Sequence, residues 1–249
     1  MLRKLIIATI AATALAATPA KPTRSALGAE GKSGANSSSA YTARDYAQNG
    51  LAAMWDSVEN IGWGEHSDTA SAWADLSGNG NNITVSPTVW VAGGYNMSVN
   101  TTIPNVDVTQ AEFTFEVVFR ADVWANDRAG IIFCLGNRAT TIGRYNAKLI
   151  CSGRKMPDGS ASGWVRDQFI LPTPYPRKAS VNMGVPKTAY LDGNMASKTT
   201  ETWTTAFSRS FIGSAYNKGV IQCIRVYNRV LTEEERRRND QIDKERFGL

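Results

Sequence analysis

The side chains of this 249-residue chain with types suited to chemistry are a strand-borne carboxylate, one histidine and a set of tryptophans. Residues 113–119, FTFEVVF, place Glu116 with Thr114, Val118 and Arg120 on one face of a strand, and Phe113, Phe115, Val117 and Phe119 on the other. Glycosidic hydrolysis by two carboxylates needs an acid and a partner about 5 to 9.5 Å apart. Glu112 and Asp122 share the parity of Glu116 but fall beyond the strand ends, too far along an extended chain to work with it. His66 lies in GEHSD beside Glu65 and Asp68, and a serine triad would need it as base. No Gly-x-Ser-x-Gly elbow accompanies it, and a solvated loop histidine accounts for the pattern.

Trp63, Trp124 and Trp203 sit in polar sequence (IGWGE, DVWANDR, TETWTT), where an indole can stack on the apolar face of a sugar. Glu116, Arg120 and Asn126 are candidate polar groups that could bind hydroxyls beside such a platform. The alternative for each tryptophan is packing at the rim of a core. Trp55, in a strand, and Trp73, just ahead of DLSG, are expected to be core or edge packing. Asp75, Asn79 and Asn81 could offer oxygens to a structural calcium ion, but a turn explains them without metal and the D-x-D-x-D-G loop pattern does not occur. No other cofactor is implied. Cys134, Cys151 and Cys223 each adjoin an apolar run, where cysteine acts as a small hydrophobe, and no C-x-x-C pair suggests zinc.

The elements that must position these groups are short strands. Residues 51–56, 83–91, 95–99, 113–119, 131–135, 148–151, 165–171, 179–183, 188–191, 209–212 and 220–227 are apolar or β-branched runs bounded by turn residues. Asp192 and Gly193 form a two-residue hairpin signal. Residues 220–227, VIQCIRVY, read as a central strand buried on both faces, with Val220, Ile224 and Val226 on one side and Ile221, Cys223 and Tyr227 on the other. Thr232 and Glu235 have capping-box spacing, which predicts a helix over 232–247. Its charges alternate in sign, so it is expected to be solvated on most sides and to contribute less to stability than Ile224 does. Glu116→Gln is expected to be nearly silent.

The formal charge of +5 is concentrated at the start: residues 1–40 hold five cations and one anion, leaving 5 − 4 = +1 on the other 209. A near-neutral domain loses the compositional support for nucleic-acid binding. Residues 1–20 resemble an export signal, a basic start followed by the apolar run 5–17, and 21–40 is a Pro, Gly and Ser rich linker. Export or surface display is therefore expected, with a cytoplasmic or virion protein as the alternative. No run reaches the roughly 20 apolar residues of a membrane helix, so the processed chain is not expected to be an integral membrane protein.

Six segments in order carry a family resemblance: YAQNGLAAMWD (46–56), DLSGNGNN (75–82), FTFEVVFR (113–120), AYLDGN (189–194), FIGS (211–214) and RVYNRVLTEEE (225–235). Together they resemble LamG-like domains of the concanavalin A-like lectin and glucanase superfamily over residues 41–249. The resemblance implies an all-β, two-sheet antiparallel jelly-roll sandwich with a short C-terminal helix. Without a carboxylate pair, it implies a non-catalytic carbohydrate-binding or adhesive domain with a glycan ligand. The alternatives are a structural subunit meeting a protein partner in a virion or surface assembly, and a diverged glycoside hydrolase.

Overall fold

The computed structural model describes residues 40–108, 112–124, 130–135, 140–145, 148–155, 163–170, 178–183, 187–199 and 210–249. The apolar and linker segments expected at 1–20 and 21–40 lie outside them, residue 40 excepted. The strands in chain order are β1 (Leu51–Asp56), β2 (Ala72–Trp73), β3 (Ile83–Thr84), β4 (Trp90–Val91), β5 (Gly94–Asn96), β6 (Thr101–Ile103), β7 (Thr114–Trp124) and β8 (Gly130–Leu135). They continue with β9 (Thr140–Tyr145), β10 (Lys148–Lys155), β11 (Gly163–Ile170), β12 (Lys178–Asn182), β13 (Lys187–Leu191), β14 (Asn194–Thr199), β15 (Ser210–Ile212) and β16 (Asn217–Tyr227), followed by helix α1 (Glu233–Phe247).

Two antiparallel sheets form the sandwich. The first runs β14-β13-β12-β7-β16-β5-β4, with β1 also paired to β16, and the second runs β11-β10-β9-β8-β15-β6. β16 is central, as its sequence predicts: β7 lies along one edge, while the other edge is shared by β5 opposite Val220 and Ile221 and by β1 opposite residues 223–227. Between the sheets, Phe113, Phe115, Val117 and Phe119 pack with Ile132, Phe133, Leu135, Ile142 and Ile212. The rings of Phe115 and Phe133 meet across the layer at 5.8 Å. Trp73 and Tyr95 stack at 5.4 Å, and Trp90 meets Trp73 edge-on, so Trp73 and Trp55 are core residues as expected.

The face assignment of β16 needs correction. A bulge at Gln222 shifts the register against β7 between Ile221 and Cys223. One extra residue reverses the alternation, so Ile221 joins Ile224 and Val226 in the inter-sheet core. Cys223, Arg225 and Tyr227 share the opposite, outer face, where Tyr227 belongs to a second cluster with Tyr46, Met54, Leu231 and Ile242. The Asp192–Gly193 hairpin is present, with φ values of 46° and 82°, the left-handed pair that such a two-residue turn uses. β6, β9 and β14 fall in polar or Gly-bearing sequence without clear alternation and are not evident in it.

The capping box forms as its spacing predicts: Thr232 Oγ1 accepts from Glu235 N–H at 3.2 Å, and Glu235 Oε2 accepts from Thr232 N–H at 3.0 Å. Gly248, at φ 66°, ends the helix in the left-handed conformation. The expectation of a mostly solvated helix is overturned. Arg236, Asn239, Asp240, Ile242 and Asp243 are all buried against the outer face of the first sheet.

Candidate functional site

Among the described residues two groups of side chains could act as a site: the polar layer beneath α1, and the loop after β1 that carries Trp63. The polar layer arises from two periodicities. Period 2 places Thr114 and Glu116 of β7, Lys178 and Asn182 of β12 and Arg225 of β16 on one sheet face. The helical spacing i, i+3, i+4, i+7 brings Arg236, Asn239, Asp240 and Asp243 to the facing side of α1.

Their geometry is close and complementary. Lys178 Nζ lies 2.6 Å from Asp240 Oδ1, 2.8 Å from Asp243 Oδ2 and 3.0 Å from Glu116 Oε1. Arg225 donates from Nε to Glu116 Oε2 at 2.9 Å, and from Nη1 and Nη2 to the two oxygens of Asp243 at 2.8 and 2.6 Å. Asn239 Nδ2 donates to Glu116 Oε2 and to the Tyr227 hydroxyl, while Arg236 closes on Asp240 Oδ2 at 2.9 Å. The tally is three cations, Lys178, Arg225 and Arg236, against three carboxylates, Glu116, Asp240 and Asp243.

Burial alone would push the Asp243 and Glu116 carboxyls up, but the adjacent Arg225 and Lys178 overcome it. Asp243 is held down at about 2, and Glu116 is lowered as well. The carboxylates in turn outweigh burial at Lys178 and hold its ammonium well above the usual lysine value. Burial raises the Tyr46, Tyr227 and Cys223 groups. Glu116 and Asp243 are therefore fixed as anions and Lys178 as a cation near neutral pH. Glu116 is fully buried, so the expectation that it faces a sugar is corrected: α1 covers the mixed face of β7 on which that expectation rested.

Trp63 stands in the loop of residues 57–68, half-buried, with the Arg44 guanidinium 5.1 Å from its ring centre. Side chains shape this loop. Asp56 Oδ1 accepts from Val58 and Glu59 N–H, Glu59 Oε2 accepts from Gly64 N–H, and Asn60 exchanges two hydrogen bonds with the Ser67 backbone. Val58 and Ile61 are exposed on it, and His66 pairs with Asp68 at 2.8 Å on the surface. Arg120 is exposed on β7 opposite Val220, next to Gly93. Trp124 closes β7 opposite Asn217; its side chain, together with Asn126 and Trp203, lies outside the described residues. Trp63 and Glu116 thus occupy separate environments and do not converge on one pocket.

The DLSGNGNN segment acts as a clamp on β1. The Asp75 carboxylate accepts from the backbone N–H groups of Met54, Ser77 and Asn81 and from Asn81 Nδ2, and Asn79 Nδ2 donates to the carbonyls of Leu51 and Ala52. Its oxygens already meet four donors, which makes the turn self-sufficient. Among the described residues no group of three His, Cys, Asp or Glu side chains is placed to hold a metal. No helix among them is long and apolar enough to cross a membrane. Sequence reasoning missed Lys178, Arg225, Asp243 and Arg246, although an arginine inside the apolar run IQCIRVY was a readable sign of a buried partner.

No protein-family model and no curated protein sequence matches the chain. Solved structures do. The binding domain of Paraclostridial Mosquitocidal Protein 1 matches at a TM-score of 0.56 and 15% identity, over 78% of this chain and 52% of that one. A botulinum neurotoxin type C structure matches at 0.54 and 10%, over 78% and 51%. Trypanosoma rangeli sialidase matches at 0.51 and 15%, over 78% of this chain but 33% of the sialidase. The chain spans between a third and about half of the length of these structures. What the likeness and the strand pairing establish together is an antiparallel β-sandwich with a C-terminal helix.

Proposed function

We propose that this is a non-catalytic carbohydrate-binding or adhesive domain, LamG-like in family, on an exported or surface-displayed protein. The observation that carries the reading is that binding domains recur among its structural neighbours. One neighbour is from botulinum neurotoxin type C, which depends on interaction with two ganglioside molecules to enter cells, and another is the binding domain of Botulinum Neurotoxin DC in complex with SialylT. The Trp63 loop is the surface offered for the ligand, because it carries a half-buried indole beside the exposed Arg44 guanidinium. The absence of catalysis is supported by the enclosure of Glu116 within the ion lattice.

The test is a glycan array of neutral and sialylated oligosaccharides, with and without calcium, probed with the parent domain and Trp63→Ala. Binding weakened about tenfold or more by the substitution is expected, the size of one lost stacking contact. A folded domain that binds no glycan would refute the reading. Release of reducing sugar or sialic acid from the same panel would move the domain to the hydrolases. The second reading, an assembly module with a protein partner, is favoured by the exposed Val58 and Ile61 beside Trp63 and by the neighbour solved in complex with rat synaptotagmin II.

A further inference from the structure

The loop that carries Trp63 is held from the far end of the chain. Two buried carboxylates set its backbone. Asp56 fixes the turn through Val58 and Glu59 N–H, and Glu59 ties it to Ala43 N–H at 2.8 Å through Oε1 and to Gly64 N–H at 2.9 Å through Oε2. Gly64 is the residue after Trp63. Two carboxylates buried side by side repel one another and need a cation between them. Arg246, on the last turn of α1 and with its side chain 3% exposed, supplies it: Nη1 reaches Asp56 Oδ2 at 2.6 Å and Nη2 reaches Glu59 Oε1 at 3.0 Å. Tyr46 is the other polar group against this guanidinium; its hydroxyl lies 3.4 Å from Nη1 and donates to Asp243 Oδ1 at 2.7 Å.

We propose that Arg246 is the positioning residue of the Trp63 loop, so that docking of the C-terminal helix sets the binding surface nearly 190 residues earlier in sequence. Only the functional consequence rests on the glycan reading. The planar fork matters because it spans both carboxylates at once, which a lysine ammonium does not do with the same geometry. Removing it leaves Asp56 and Glu59 to separate or to admit water, and the hydrogen bond from Gly64 is the first that such a movement loosens.

The experiment is amide hydrogen exchange on the whole chain for the parent and for Arg246→Gln, Arg246→Lys, Glu59→Gln and Arg236→Gln. In Arg246→Gln the amides of Val58, Glu59 and Gly64 are expected to exchange about tenfold faster or more, while those of Ile224 and Val226 in β16 stay protected. Arg246→Lys should recover part of the protection. Arg236→Gln, at the other end of the helix contact, should leave the loop as it is. Unchanged exchange at 58–64 in folded Arg246→Gln overturns the proposal, and so does equal opening by Arg236→Gln, which would indicate general undocking of α1. If Arg246→Gln does not fold, Arg246→Lys decides by the same amides, and exchange at 58–64 as slow as in the parent then overturns the proposal. Where the parent binds a glycan, Arg246→Gln should weaken that binding; where it binds none, the functional reading fails while the exchange data still decide the role of Arg246.

Discussion

Arg225→Met is the sharpest test of the ion lattice beneath α1. The guanidinium makes three charge-assisted hydrogen bonds to Glu116 and Asp243 and lies 4.0 Å from the centre of the Tyr46 ring. A methionine fills much of the volume but leaves Lys178 as the nearest cation for both carboxylates, although it is already engaged with Asp240. Breaking a buried ion pair from one side costs about 3–5 kcal/mol, because the partner stays desolvated and uncompensated. Against a total stability of about 5–15 kcal/mol, that is a large share. In urea, with a slope of about 2–3 kcal/mol per molar for a domain of this size, the midpoint should fall by about 1–2.5 M with the slope unchanged. Converting Glu116, Asp243 and Arg225 together to apolar residues should recover much of the loss, since a buried lattice is often no more stable than a packed apolar layer. A midpoint shift below about 0.3 M for Arg225→Met, the equivalent of less than about 1 kcal/mol, would mean that these groups are hydrated in solution and that the helix is not docked as described.

Truncation after Leu231 should now cost more than Ile224→Ala, the reverse of the sequence-based expectation. Ile224→Ala leaves a cavity worth about 2–5 kcal/mol, whereas truncation strips Glu116, Lys178 and Arg225 of their partners and should abolish cooperative thermal unfolding. Glu116→Gln, expected from sequence to be silent, should lower the urea midpoint, because Arg225 and Lys178 then face one charge fewer. Stability should also fall in acid. Asp243 is depressed from its ordinary 3.8 to about 2, so its contribution is complete above pH 4 and is lost as pH drops from about 4 to 2, amounting to roughly 2 kcal/mol; a flat urea midpoint across that window would contradict it. Gly219→Ala should destabilise strongly, since φ is 132° and a Cβ would stand 2.0 Å from the Arg120 carbonyl oxygen; an unchanged melting temperature would refute the local geometry.

The alternation in residues 113–119, the capping box and the Asp-Gly hairpin are local patterns, and all three are legible in the sequence because short-range geometry dictates them. The bulge at Gln222 is not: nothing in VIQCIRVY marks which residue is extra, and one unmarked insertion exchanges the two faces of the strand. The charged helix misleads for a related reason. Apolar periodicity is the usual sign of a buried face, but here the face reads Arg236, Asn239, Asp240, Asp243 and is buried because complementary charges wait on β7 and β12, far away in sequence, and on the neighbouring strand β16. The same separation hides the candidate site, since the residue that braces Trp63 belongs to the last turn of the chain.

The position of β16 also bears on how the protein is made. Its edge partner β1 is complete by Asp56, yet the strand that receives it runs from Asn217 to Tyr227. At a synthesis rate of about 5–20 residues per second, the interval between the two is roughly 10–30 s. Throughout that time Leu51, Met54 and Trp55, all destined for burial, have no β16 to pair with, and neither has β7. Assembly of the first sheet therefore waits for nearly the whole domain to leave the ribosome.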